Sequence, residues 1–99
     1  MKVLGFFWFR NAEEYAWLRA VSEDRADLLD SYSRWREAAE NGYQEIKSDN
    51  PQIRLIKVEV EPENFLAWCG LMGQRIDSNS RRDYANSQAV KAFWDSIPV

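Results

Sequence analysis

Three features of the sequence predict an α+β domain: a small two-stranded sheet with four helices, in the order β-α-α-β-α-α. Two short runs dense in β-branched and aromatic residues, Val3–Phe9 and Ile53–Val60, read as strands. Each is followed by two segments whose apolar residues recur every three or four positions, the period of a helix with one buried face. Capping and turn residues stand at the joints between these segments, at Asn11, Asp30-Ser31, Ser48-Asp49-Asn50-Pro51, Gly73 and Asp77-Ser78.

The first strand, Val3–Phe9, is apolar on both faces, with Val3, Phe7 and Phe9 on one and Leu4, Phe6 and Trp8 on the other. It therefore reads as a buried central strand. Met1–Phe9 carries one Lys before its apolar run, but the run is short for a secretory signal and meets Arg10 with no small-residue cleavage site. Asn11 followed by Glu14 is a capping-box arrangement, so a helix starts there, with Ala12, Tyr15, Leu18 and Val21 as its stripe and an end near Ser22–Arg25. Asp30 or Ser31 caps a longer helix in which Tyr32, Trp35, Ala39, Tyr43 and Ile46 share a face. Gly42 inside it costs about 1 kcal/mol relative to Ala.

In the second strand Ile56, Val58 and Val60 alternate with Lys57 and Glu59, so one face meets the core and the other meets solvent or a partner. Pro62 suits the first turn of a third helix, Glu63 to about Met72, which Gly73 stops. Asp77 or Ser78 caps a last helix running to about Trp94, with Tyr84, Ala85, Ala89, Ala92 and Phe93 as apolar contributions. A length of 99 residues, without a linker, repeat or low-complexity segment, predicts one domain spanning 1–99. Two strands leave two unpaired edges. Either four helices cover the pair or a second copy completes a four-stranded sheet, and the strand inventory favours the homodimer.

Composition narrows the function classes. The formal net charge is −3 and the charges are interspersed, which disfavours nucleic acid as a partner. The chain has no His, the commonest general base and metal ligand near neutral pH, so chemistry would fall to Asp, Glu, Lys, Tyr and the single Cys69. A lone Cys suits a reducing cytoplasm, and in the run Phe65-Leu66-Ala67-Trp68-Cys69 it reads as a small buried hydrophobe. No stretch is long and apolar enough to span a membrane. Glu59, Glu61 and Glu63 match the alternation of a solvated strand face, so no metal or other cofactor is expected.

Two groups of residues stand out as candidate sites. Arg10 and Asn11 lie where a strand ends and a helix begins, a position suited to holding an anion, and Glu63 and Tyr84 are candidates to join them in a ligand site. The plainer reading pairs Arg10 with Glu13, Glu14 or Glu63. Trp17, Trp68 and Trp94 lie beside the stripes of their helices and suit an interaction surface, with Arg81 and Arg82 as further candidates. Arg81, Arg82 and Tyr84 together also suggest weak nucleic-acid binding through the last helix. No catalytic constellation emerges. The sequence thus predicts a small non-catalytic binding or adaptor protein with an aromatic-bearing surface and a protein partner, the alternative being a small-ligand binder or enzyme with a site near Arg10.

Trp8-Phe9-Arg10-Asn11 with Glu13-Glu14-Tyr15, Ser31-Tyr32 with Trp35 and Ala38-Ala39-Glu40, Val58-Glu59-Val60 with Pro62 and Phe65–Cys69, and Arg82 with Tyr84-Ala85 form a pattern over nearly the whole chain. In that pattern the chain resembles a group of short uncharacterised bacterial proteins. The resemblance implies a single domain and carries no activity.

Overall fold

The computed structural model describes residues 2–97. Its elements are β1 (Lys2–Trp8), α1 (Ala12–Val21), α2 (Tyr32–Asp49), β2 (Ile53–Glu59), α3 (Pro62–Met72) and α4 (Ser78–Asp95), with a single 3₁₀ turn at Arg25–Asp27 before α2. The order is the expected one. Asn11 caps α1 by accepting from the Glu14 amide, Ser31 caps α2 by accepting from the Arg34 amide, and Asp77 with Ser80 forms a reciprocal capping box on α4. Gly73 ends α3 in the left-handed conformation at φ 65°, which a residue with a Cβ adopts only under strain.

The two strands pair in parallel, with Lys2 opposite Ile53 and Trp8 opposite Glu59. Parallel pairing requires a long crossover, which α1 and α2 supply. Register then sorts the side chains: Val3, Gly5 and Phe7 share a face with Arg54, Ile56 and Val58, and Leu4, Phe6 and Trp8 share the other with Leu55, Lys57 and Glu59. On the first face lies the main core, where Phe9, Tyr15, Leu18, Val60, Phe65, Cys69 and Tyr84 are buried together. Phe7 packs edge-on against Phe65 at 5.1 Å, and Phe9 against Tyr15 at 4.9 Å.

The alternation in β2 predicts that the second face meets solvent or a partner through Lys57 and Glu59. Glu59 is exposed, but Lys57 is taken up by α2: its ammonium lies 2.8 Å from a Glu40 carboxylate oxygen, 4.2 Å from the Trp8 ring centre and 4.8 Å from that of Tyr43. A lysine stem lies comfortably on aromatic surface while its charge finds a partner, so Lys57 marks a helix contact and Glu59 alone keeps the expected place in solvent.

Both strand edges are occupied at mid-length. On β1 the Gly5 amide donates to Asn86 Oδ1 at 2.8 Å, and on β2 the Leu55 carbonyl accepts from the Tyr43 hydroxyl at 3.2 Å. Side chains of the neighbouring helices thus satisfy backbone groups that an edge leaves open.

Candidate groove at the strand ends

Two residues beyond the paired Trp8 and Glu59 come Arg10 and Glu61, so the parallel register carries both to the same end of the sheet. Helices α1 and α3 both start there. In parallel α/β sheets this carboxyl end, flanked by helix N-termini, is where ligands commonly bind. An open groove of about 560 Å³ occupies it, lined by Arg10, Glu13, Glu14 and Trp17 from one side and by Glu61, Pro62 and Glu63 from the other. Glu13 and Glu14 lie four and three residues before Trp17 on one face of α1, and Arg10 immediately precedes the Asn11 cap.

Arg10 is held from two sides. Its Nε donates to Glu14 Oε1 at 2.8 Å while a second guanidinium nitrogen meets Glu14 Oε2, and Nη1 lies 3.7 Å from Glu61 Oε1. The hydrogen-bonded guanidinium holds the Glu14 carboxyl below its ordinary range. Pairing of Arg10 with Glu14 is one of the plainer alternatives read from the sequence, and Glu61 is an addition to it. With four carboxylates and one already paired guanidinium among its described lining residues, the groove is acidic, and an incoming anion would have to displace Arg10 from Glu14. The ring of Trp17 stands among these charges, 45% exposed.

Of the residues expected to gather with Arg10, Glu63 lines the groove and Asn11 adjoins it as the α1 cap. Tyr84 does not join them. It is buried 5.3 Å from both the Phe65 and Trp68 rings, and that burial pushes its hydroxyl pKa up. Among the Trp candidates, Trp17 is in the groove, Trp94 is exposed at the end of α4, and Trp68 is half-buried against Phe65 and Tyr84.

Arg81 requires a correction as an interaction-surface residue. It is buried and forms two hydrogen bonds with Asp24, Nη1 to Oδ1 at 3.0 Å and Nη2 to Oδ2 at 2.5 Å. Residues 81, 84 and 85 form the inward face of α4, which leaves only Arg82 of the Arg81, Arg82 and Tyr84 trio on the surface. The three therefore present no common exposed patch for stacking and phosphate contact. Cys69 is buried as expected, and burial pushes its thiol pKa up, away from the reactive thiolate.

Sequence reasoning missed Glu61 and Pro62 as groove residues and placed Trp17 on a general surface. The available signal was positional: Arg10 and Glu61 each follow an apolar strand at the same offset, which becomes informative once the strands are known to be parallel. Among the described residues no helix is long and apolar enough to cross a membrane. In comparisons with family models, with curated proteins and with solved structures, nothing matches this chain.

Proposed function

We propose that this protein is a small binding module whose groove at the strand ends receives a basic segment of a partner protein. One observation carries the reading: the exposed Trp17 ring stands beside Glu13, Glu14, Glu61 and Glu63, and the one guanidinium among the described lining residues is already paired. An aromatic face flanked by carboxylates suits a lysine or arginine side chain, whose cation meets both the ring quadrupole and an opposite charge. The open shape favours a chain passing across the groove. The lone, buried Cys69 supports placing this activity in the cytoplasm. A homodimer belongs to the same proposal, with contact through the exposed Val90, Trp94 and Ile97 because both strand edges carry helix side chains.

Fluorescence anisotropy with a labelled lysine-rich peptide tests the groove, using an acidic peptide of equal length as control. The expected result is saturable binding of the basic peptide alone, weakened about tenfold or more by Trp17→Ala and by Glu13→Gln with Glu63→Gln. Equal binding of both peptides, or indifference to these substitutions, overturns the proposal.

A further inference from the structure

A second cavity, of about 380 Å³, lies on the opposite flank of β1 between α2 and α4. Leu4 and Phe6 of β1, Leu55 of β2 and Ile46 of α2 line it and all remain half-buried. Tyr43 of α2 packs edge-on against Phe6 with ring centres 6.0 Å apart and bonds the Leu55 carbonyl, Glu40 pairs with Lys57, and Leu4 and Phe6 still keep part of their surface open. On the other wall α4 contributes Ser78, Arg81, Arg82 and Asn86.

The chemistry here is the reverse of the groove at the strand ends. Among the described lining residues none is acidic, and both charged ones are arginines. Arg81 is spent on Asp24, whereas the Arg82 side chain is 64% exposed and, among the described residues, pairs with its neighbour Asp83 alone, at 3.5 Å. An apolar trough with one accessible guanidinium beside it is complementary to a ligand with a hydrocarbon body and an anionic end. Its size lies at the lower end of small-molecule pockets, which suits a single short chain.

We infer that this cavity is a binding site for an aliphatic carboxylate, with the hydrocarbon chain over Leu4, Phe6, Ile46 and Leu55 and the carboxylate on Arg82. Burial of the chain supplies affinity, and the charge-assisted contact with Arg82 sets the direction in which the ligand lies. The site shares no residue with the groove at the strand ends, so either can fail without the other.

The test is a titration of the full chain with decanoate below its micelle concentration, followed by amide NMR, with decylamine as the partner of matched tail and opposite head. The expected result is saturable shifts at the Gly5 amide and the Asn86 side-chain amide, decanoate tighter than decylamine by about tenfold or more, and loss of that preference in Arg82→Glu. Arg82 is exposed, so this variant keeps its fold, and a matching thermal melt documents it. Equal affinity for the two heads, an unchanged preference in Arg82→Glu, or shifts confined to the Trp17 groove would overturn the assignment.

Discussion

Gly5 donates its amide to the Asn86 side chain at 2.8 Å, and a Cβ built on Gly5 would lie 2.0 Å from the Ala85 carbonyl oxygen. Helix α4 therefore rests backbone to backbone on β1, and Gly5 is required for close approach rather than for an unusual φ. Because the obstructing atom belongs to a helix, it cannot rotate aside. Gly5→Ala is expected to cost about 3 kcal/mol or more, at or above the usual range for overpacking. Asn86→Ala leaves the strand amide without its acceptor and is expected to cost about 1–2 kcal/mol. Urea denaturation measures both, and a Gly5→Ala variant as stable as the parent would contradict the packing described.

Helix starts were legible because a cap is a local event: Asn11, Ser31 and Asp77 accept from amides three residues on. The left-handed stop at Gly73 was legible for the same reason. Strand direction was not, since parallel and antiparallel pairs can share the same apolar alternation and differ only in how the crossover runs. That gap hid the groove, because Glu61 becomes a neighbour of Arg10 only in the parallel register. Arg81 was misplaced on the surface because its partner Asp24 lies 57 residues away, and no periodicity within α4 signals a distant carboxylate.

The Arg81 and Asp24 pair predicts acid sensitivity. Hydrogen bonding to Arg81 lowers the Asp24 carboxyl pKa in the folded state, with side-chain exposures of 10% and 17% for the two partners. A folded pKa below the unfolded one means the stabilisation is complete above the unfolded value, about 3.9, and is lost as pH falls through the folded value. Asp24→Asn is expected to cost about 3 kcal/mol at neutral pH, near the lower end for breaking a buried pair, and to flatten the acid limb of the stability profile. Denaturation midpoints across that range decide it. A parallel acid limb in the variant would assign the sensitivity to other carboxylates.

Lys57 offers a separable test of charge and ring contacts. Lys57→Met keeps an apolar stem against Trp8 and Tyr43 but removes the cation from both rings and from Glu40, for an expected loss of about 1 kcal/mol. Salt screens the Glu40 contribution more than the ring contribution, since only the former is a pair of full charges open to solvent. A double-mutant cycle of Lys57→Met with Glu40→Gln should therefore give a coupling of a few tenths of a kcal/mol that shrinks at high salt. Coupling unaffected by salt would mean that Glu40 positions Lys57 without contributing as a charge.

Dimerisation is the remaining expectation, and the edges redirect it. Pairing of two β1 or two β2 strands would have to remove Asn86 from the Gly5 amide or Tyr43 from the Leu55 carbonyl, at a cost of about 1 kcal/mol or more for each bond lost. Val90, Trp94 and Ile97 carry no such penalty. Val90 and Trp94 stand four residues apart near the end of α4, Ile97 follows just beyond its cap Ser96, and the three are 42%, 66% and 38% exposed. A second copy laid against this stripe in a two-fold arrangement brings each Trp94 against apolar surface of the other chain, as an isologous contact requires. Sedimentation equilibrium should then show a reversible dimer in the upper micromolar range, with Trp94→Glu returning the single-chain mass and leaving the unfolding midpoint unchanged. A single-chain mass at every concentration would reject the dimer, and a dimer that survives Trp94→Glu would place its interface elsewhere.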